Sequence, residues 1–361
     1  MSVVVPPPTA SRFRADDLRA FVVALLCAFD ATRNDAVATA DALVHADLRG
    51  VTSHGIGMLT ENRAYAVGLR AGTVKARPDR QVLHESPSTA LFDNDLGLGA
   101  AGATQAMRLA IDKATTYGSG WVAVTNGCHY GMAGHYAMMA LPHGMIGVSV
   151  CNSRPYVAAS GGLGARLGTN PIAMAAPAHE EPPFVLDMAT SAVAVGKLIV
   201  ARRTGRAVPL GWAQDREGTD ADDPSVPWDG GWLMPLGGRP ETSGYKGYGL
   251  AAMVDVLSGV LSGIGISSML VQVDGVGQFF GALRVDGFRP LEEFTRQMDA
   301  AIREWRATPP AEAGVPVQVP GDPERRMSDE RSAHGIPIHP SILADLTALA
   351  DEAGVYFPAP L

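Results

Sequence analysis

The amino-acid sequence predicts an α/β fold, with helical segments at both ends and alternating strands and helices in the middle. Apolar residues recur at helical spacing near both termini, whereas short apolar runs bounded by glycine, proline or polar residues fill the middle. Strands that alternate with helices favour an α/β core. A length of 361 residues with 47% hydrophobic content suffices for one large domain or two intertwined domains.

The elements are predicted in order from these patterns. Residues 1–10 are predicted to be a frayed tail. Residues 14–30 and 35–48 are predicted to form amphipathic helices, because each segment has aspartate near its start and apolar residues at helical spacing. A glycine-flanked break at 50–55 precedes a third helical stretch over 58–69. Strands are then predicted at residues 90–92, 121–124, 146–150 and 184–186, and helices at 101–114, 134–141, 191–203 and 341–353.

Three further segments are predicted from composition. Residues 204–243 and 308–334 are dense in proline and in charged residues or glycine, which predicts loops that cover a functional site. Residues 250–273 are the most membrane-like segment, but Asp255 interrupts them and serine and glycine dilute them. They are predicted as a buried helix that runs into a loop.

Charge and cysteine content exclude several classes of function. Lys and Arg number 29 against 37 Asp and Glu, so the net charge is −8 and nucleic acid is not expected as a partner. The N-terminus lacks the basic and apolar regions of a signal peptide, and no membrane partner is expected. Three cysteines without a C-x-x-C pair favour neither a disulfide framework nor a zinc site. A cytoplasmic location is therefore predicted.

A glycine motif at Gly97, Gly99 and Gly102 formally matches the dinucleotide fingerprint G-x-G-x-x-G. The acidic residues that precede it would repel a phosphate, and no acidic residue follows about twenty positions later to bind a ribose. A glycine-rich helix start is the better interpretation, so a Rossmann domain is not predicted.

Two histidines in glycine-rich turns, His54 and His129, are the candidate proton-transfer groups. Glycine supplies turn geometry rather than packing, so a histidine between glycines is less expected to fill the core. An imidazole with its ordinary pKa of about 6.5 exchanges protons at neutral pH. The other histidines are interpreted as structural. Cys128 is interpreted as a bystander thiol, and no metal site is expected because no ligand spacing supports one.

Small polar groups end three apolar runs, around Thr169, Asp187 and Lys246. Ligand sites of α/β proteins gather at such ends, and a lysine in a glycine-rich loop binds phosphate or carboxylate. Taken singly, each segment is also explained as a tight turn with a helix cap.

Together these blocks resemble the type 2 malate/L-lactate dehydrogenase family, which includes ureidoglycolate dehydrogenase, diketogulonate reductase and cyclic imino-acid reductases. The resemblance covers nearly the whole chain. It is carried by Thr52-Ser-His-Gly, Asn126-Gly-Cys-His-Tyr-Gly-Met-Ala-Gly-His-Tyr, Gly168-Thr-Asn-Pro-Ile-Ala, Asp187-Met-Ala-Thr-Ser and Gly244-Tyr-Lys-Gly-Tyr-Gly.

The resemblance implies a homodimeric NAD(P)-dependent oxidoreductase with a non-Rossmann mixed sheet and helical ends that pack together. It implies a helical substrate and dimerisation domain from residues 1–80 with 290–361, and a cofactor-binding α/β domain from 81–289. It also assigns roles to residues. The residues implied in catalysis are His129, His54, Asp187 and Ser53, and Thr169 is implied in substrate binding. The residues implied in cofactor binding are Ser153, Asp187, Met188, Ala189, Lys246, Gly277, Gln278 and Phe279.

One position departs from the family pattern, because Met58 stands where most relatives carry the arginine that grips a substrate carboxylate. A thioether does not replace a bidentate guanidinium. Either Arg63 or Arg154 takes over, or the substrate is a bulkier or less charged ketone or imine. If Arg154 instead receives a 2′-phosphate, NADPH is favoured over NADH.

The sequence thus predicts a reductase or dehydrogenase that transfers a hydride between NADH or NADPH and a 2-oxo acid, 2-hydroxy acid or cyclic imine. Two alternatives remain open. In the first, the chain is a ligand-binding relative without catalytic activity, and Met58 reflects that loss. In the second, it is a metal-dependent hydrolase that uses scattered histidines.

Overall fold

The structure is a computed structural model that describes residues 10–61, 64–203, 205–272 and 274–361. The helices are α1 (Ala15–Ala28), α2 (Arg33–Leu48), α3 (Met58–Glu61), α4 (Ala66–Ala71), α5 (Gly99–Tyr117), α6 (Ala133–Met138), α7 (Val195–Arg203), α8 (Gly244–Val254), α9 (Leu291–Arg306), α10 (Asp322–His334) and α11 (Pro340–Ala353). The strands are β1 (Ser11–Phe13), β2 (Gln81–Glu85), β3 (Thr89–Asp93), β4 (Ser119–Gly127), β5 (Met145–Cys151), β6 (Val157–Ala158), β7 (Ala165–Leu167), β8 (Ile172–Ala176), β9 (Phe184–Met188), β10 (Ala213–Gln214), β11 (Asp220–Ala221), β12 (Trp232–Leu233), β13 (Val276–Arg284) and β14 (Ile336–Ile338).

The two ends of the chain share one apolar core, which confirms that the helical termini pack together. Strand β1 pairs antiparallel with β14. Leu18 and Leu25 of α1 are buried in the same cluster as Leu43 of α2 and Leu346 of α11. Burial of each such side chain contributes about 1.5–3 kcal/mol, so this core ties the terminal helices to each other.

The central sheet has the strand order β2-β3-β4-β13-β5-β8-β9. Strands β3 and β4 run parallel, and the other neighbours run antiparallel. Helices α5 and α6 cover one face, where Phe280 and Val122 are buried. Val254 of α8 packs on the other face against Phe279 and Val150. The predicted α/β fold with a mixed, non-Rossmann sheet is therefore confirmed.

One edge of this sheet collects the ends of several strands. The register pairs Gly127 with Val276, Cys151 with Gln278 and Ile172 with Met188. Strands β4, β5 and β9 therefore end where β13 and β8 begin. The loops that carry the predicted polar residues leave the sheet at this edge, as expected for a ligand site in an α/β protein.

A second sheet, with the order β11-β10-β12-β6-β7, takes β10, β11 and β12 from the segment 204–243, which was predicted as loop. Its strands are two or three residues long and pack with α7 around Leu198 and Leu233. Segment 250–273 begins in α8, continues as a π-helical turn and ends in a 3₁₀ turn. It is helical at its start, as predicted, but it is not buried throughout, because Val256, Val260 and Leu261 are exposed. No helix among the described ranges has both the length and the apolar character needed to cross a bilayer.

The sequence prediction was wrong for parts of the chain. Residues 322–334 were predicted as loop but form α10, whose apolar periodicity is hidden because its buried positions include Asp322 and Arg331. Strand β13 and helix α9 were not predicted. The helix predicted at 58–69 is observed as α3 and α4, and the one predicted at 191–203 begins four residues later, at Val195.

The glycine motif at the start of α5 packs against the chain itself. A Cβ at Gly97 would meet Pro78, one at Gly99 would meet the carbonyl of Cys128, and one at Gly102 would meet Asn94, each closer than 2.6 Å. These glycines therefore permit close packing of α5, in agreement with the interpretation as a glycine-rich helix start.

Candidate active site

The loop that carries Ser53 and His54 follows α2 as a single 3₁₀ turn, Thr52–His54. The hydroxyl of Ser53 lies 2.8 Å from Nδ1 of His54. The buried carboxylate of Asp47 accepts a hydrogen bond of 2.8 Å from the backbone N–H of Ile56. A Cβ at Gly55 would lie 2.0 Å from Oδ1 of Asp47, so only glycine allows this close approach. Asp47 therefore holds the loop that presents His54.

His129 lies in the loop between β4 and α6, beside His54. The two imidazole rings stack with centroids 5.4 Å apart and planes at 20°. Nδ1 of His129 lies 2.8 Å from the hydroxyl of Tyr65, a fully buried side chain next to α4. The side-chain amide Nε2 of Gln278, in β13, donates a 2.8 Å hydrogen bond to the carbonyl of Cys128 and so ties the His129 loop to the sheet. The structure therefore brings together the two histidines that the sequence singled out.

Both imidazoles are neutral near pH 7. Burial lowers the pKa of His54 to about 4, and burial together with the neighbouring His54 lowers the pKa of His129 to about 3. Both residues are half-buried rather than fully buried, so this loop region is open to a ligand. A second positive charge on stacked rings is strongly unfavourable, because like charges at this distance repel each other.

Asp187 is the penultimate residue of β9. Its carboxylate accepts a 2.7 Å hydrogen bond from the backbone N–H of Gly134, near the start of α6. Burial raises the pKa of Asp187 to about 6, although the Gly134 hydrogen bond and the charge of Arg49 favour the carboxylate. A carboxyl with such a pKa titrates close to neutrality, as catalytic acids often do. Its hydrogen bond goes to the backbone rather than to either histidine.

Hydroxyl and amide groups cluster beyond β5 and before β8. The hydroxyl of Ser153 accepts a 3.1 Å bond from the backbone N–H of Thr169 and lies 3.4 Å from the Thr169 hydroxyl. Buried Asn170 accepts a 3.1 Å bond from the backbone N–H of Ser153. The predicted residues Ser153 and Thr169 are thus neighbours at the same sheet edge.

The other predicted site residues differ in burial and in their position in the fold. Met188 and Ala189 are half-buried, and Lys246 is exposed in the first turn of α8 with its ammonium 5.9 Å from the Tyr245 ring centroid. Arg154 is exposed in the turn after β5, and Arg63 lies outside the described residues. The remaining predicted cofactor residues, Gly277, Gln278 and Phe279, are buried inside β13.

Gly277 and Met58 are both packed into the protein. The amide of Gly277 donates to Asn152 at 2.8 Å, and a Cβ at Gly277 would lie 1.8 Å from the carbonyl oxygen of Ser258. Met58 starts α3, is half-buried and packs against the core of the terminal helices. A role of Gly277 in lining the cofactor stays a prediction.

The sequence analysis missed Tyr65, Asp47 and Arg49. Tyr65 is separated from His129 by 64 residues, so no local pattern relates them. Asp47 lies nine residues before its hydrogen-bond partner Ile56, and an aspartate inside an apolar helical pattern was a detectable signal.

No group of three metal-ligating side chains lies together among the described residues. The three cysteines carry free thiols. Burial raises the pKa of the Cys128 thiol to about 12, so this group is not a thiolate at neutral pH.

Comparison with known proteins identifies the family. A family model described as malate/L-lactate dehydrogenase matches residues 13–347. The malate dehydrogenase of Pyrococcus horikoshii is 43% identical over 349 residues, which cover 95% of this chain and 96% of that protein. Its solved structure superposes with a TM-score of 0.89 at 40% identity and covers 98% of this chain and 99% of that one.

Two further relatives, named as dehydrogenases of other substrates, also match most of this chain. The L-sulfolactate dehydrogenase of Methanocaldococcus jannaschii is 36% identical and covers 95% of this chain and 97% of that protein. The ureidoglycolate dehydrogenase (NAD(+)) of Escherichia coli K12 is 32% identical and covers 87% of this chain and 88% of that protein. The chain therefore belongs to the malate/L-lactate dehydrogenase family.

Proposed function

We propose that this protein is an NAD(P)-dependent oxidoreductase that interconverts a 2-hydroxy acid and a 2-oxo acid, or reduces a cyclic imine. The observation that carries the proposal is the pair of neutral, stacked imidazoles of His54 and His129, each with Nδ1 held by a hydroxyl at 2.8 Å. Two such rings offer a hydrogen-bond donor and a proton acceptor to one substrate oxygen. The relatives are named as dehydrogenases, which favours an enzyme over a silent ligand-binding relative.

The roles of the residues follow from what the reaction requires. In the reductive direction the substrate carbon gains a hydride and its heteroatom gains a proton; oxidation reverses both transfers. The bound nicotinamide supplies or accepts the hydride. During oxidation a neutral ring of the imidazole pair takes the proton from the substrate hydroxyl. During reduction a ring that has first taken up a proton from water delivers it, and the Thr169 hydroxyl and Asp187 hold the substrate beside the pair. Positioning contributes most of the rate, and acid–base catalysis adds about 10²–10⁴-fold.

The residues present fit a dinucleotide cofactor. Lys246 places an exposed ammonium in the first turn of the 11-residue helix α8, where the helix dipole also favours anions. That position suits the pyrophosphate. The hydroxyl of Ser153 lies at the sheet edge against Thr169, and the half-buried Met188 and Ala189 follow Asp187 directly in the chain. We assign the nicotinamide end of the cofactor to these residues.

A screen of 2-oxo acids, cyclic imines and ketolactones tests the proposed function. The absorbance of the reduced nicotinamide should fall with at least one substrate class, and each substrate is assayed with NADH and NADPH at equal concentration. We expect NADPH to be preferred, since exposed Arg154 is available to a 2′-phosphate. Tight cofactor binding without turnover of any substrate would contradict the proposal, and a preference for NADH would reject the role of Arg154.

The loss of the family's arginine at position 58 leads us to propose a substrate less anionic or bulkier than malate or lactate. Arg49 supplies positive charge near the site, since it lies close enough to Asp187 to lower the pKa of that carboxyl. We propose Arg49 as a carboxylate partner in place of Arg63 or Arg154. Arg49→Met should then raise KM for oxo acids by about tenfold or more, whereas an unchanged KM would reject this role.

Restoring the arginine should shift specificity. Met58→Arg is expected to raise kcat/KM for oxaloacetate about tenfold or more, because a charged hydrogen bond contributes about 1.5–3 kcal/mol. Met58→Lys serves as the control that adds charge without bidentate geometry. Efficient turnover of oxaloacetate by the unmodified enzyme, with no gain in Met58→Arg, would contradict the proposed shift.

We also propose that the protein works as a homodimer in a reducing cytoplasm. Large apolar side chains are exposed along residues 245–271: Tyr245, Tyr248, Met253, Val256, Val260, Leu261, Met269 and Val271. Exposed large apolar side chains in such number along one segment often mark an interface. Sedimentation equilibrium should give twice the chain mass of 37.7 kDa, and a monomer at micromolar concentration would contradict the proposal.

A further inference from the structure

The contacts of Tyr65 indicate a role beyond the proposed function. Its hydroxyl lies 2.8 Å from Nδ1 of His129, and the two rings meet edge to face with centroids 5.6 Å apart. Tyr65 is fully buried and belongs to the core of the terminal helices. His129 belongs to the loop after β4. The contact therefore connects the helical ends of the chain to the reacting group of the α/β part.

The direction of this hydrogen bond follows from the surroundings. Burial raises the pKa of the Tyr65 hydroxyl far above its ordinary value, so this group keeps its proton and can donate it in a hydrogen bond. The backbone N–H of Gly131 also points at Nδ1 of His129, at 3.4 Å. Two donors converge on one ring nitrogen. A neutral imidazole accepts through the nitrogen that carries no hydrogen, so the ring proton must be on Nε2.

We propose that Tyr65 is a positioning residue that fixes the Nε2–H tautomer and the ring orientation of His129. His129 then meets the substrate oxygen as an N–H donor that is already in place before substrate arrives. This inference rests on the proposed function for its catalytic consequence, but not for the tautomer itself. A preorganised donor of this kind stabilises the developing charge on the oxygen in the transition state.

His54 differs from His129 in this respect. Its Nδ1 contacts the hydroxyl of Ser53, a group that donates or accepts by rotation of its O–H bond. Its tautomer is therefore not fixed by its partner, whereas that of His129 is. The stacked pair thus consists of one ring with a set tautomer and one ring that can switch.

The test replaces Tyr65 by phenylalanine, which keeps the ring and removes only the hydroxyl. We expect kcat to fall about 10- to 100-fold, as for other partners that orient a functional imidazole, while KM changes by less than about threefold. The matched control is Tyr136→Phe, since Tyr136 is equally buried and its hydroxyl donates to the carbonyl of Tyr130 rather than to a histidine. That control should keep the activity of the unmodified enzyme.

A second measurement reports the tautomer without activity. In protein labelled with ¹⁵N-histidine, the His129 signals are identified by their loss in His129→Ala. In the unmodified protein, the nitrogen coupled to both ring protons should be the protonated one, which identifies Nε2–H. Tyr65→Phe should give a mixture of tautomers, and Tyr136→Phe should not.

The outcomes separate the two proposals. An Nδ1–H tautomer in the unmodified protein, or an unchanged tautomer in Tyr65→Phe, would overturn the role of Tyr65 even if His129→Ala is inactive. A changed tautomer with full activity in both Tyr65→Phe and His129→Ala would instead overturn the function proposed for His129, and with it the catalytic consequence of Tyr65.

Discussion

Replacing His129 by alanine should lower kcat by about 10²–10⁴-fold, the range typical of a preorganised hydrogen-bond donor or a positioned proton-transfer group at the substrate oxygen. The ring stacks on His54 and is held through Nδ1 by Tyr65, so its Nε2 is the atom left to meet a substrate oxygen. Steady-state kinetics with the best substrate of the screen measure the effect. KM should change less than kcat, because the interaction strengthens in the transition state.

The substitution also leaves the hydroxyl of Tyr65 without its partner. A buried hydroxyl without a hydrogen bond destabilises the fold by about 1–3 kcal/mol, so the melting temperature is measured alongside. His143→Ala is the control, because His143 is exposed in a short turn before β5 and should leave kcat unchanged. Near-normal turnover of folded His129→Ala would reject the role of His129 and transfer it to His54, which His54→Ala then tests.

The sequence was informative where physical constraints are local. Helices α1, α2 and α11 were predicted because their buried faces recur with helical period, and β4 and β5 because apolar runs between polar residues or glycines form buried strands. The turns of His54 and His129 were recognisable for the same reason, since glycine in a turn is visible in the chain.

What the sequence left out depends on contacts between distant segments. Strand β13 contains Gly277 and Gly281, which are unusual in a central strand, but they are required because Ser258 and Trp121 occupy the space of a side chain there. Helix α10 buries Arg331, whose Nη1 donates to the carbonyl of Asp47 at 2.5 Å. No local rule predicts a buried arginine that supports a helix 284 positions away in the chain.

Gly55→Ala should be among the most destabilising single substitutions near the site. The added Cβ would lie 2.0 Å from Oδ1 of Asp47, 2.2 Å from its Cγ and 2.3 Å from Oδ2, so the carboxylate must leave its place. Asp47 would then lose its hydrogen bond to Ile56 while still buried. We expect the free energy of unfolding to fall by roughly 2–4 kcal/mol, measured by chemical denaturation. Gly287→Ala is the control, since no atom lies within 4 Å of a Cβ at Gly287.

A double-mutant cycle distinguishes this clash from a general intolerance of the turn. Asp47→Ala alone removes the acceptor for the Ile56 N–H and the carboxylate that faces the buried Arg331, so it is also destabilising. It makes room for a Cβ at position 55, however. The double variant should therefore lose at least about 1 kcal/mol less than the sum of the single losses, because the two side chains contact each other directly. Strictly additive losses would show that Asp47 does not set the requirement for glycine, and the account of how the His54 loop is held would be wrong.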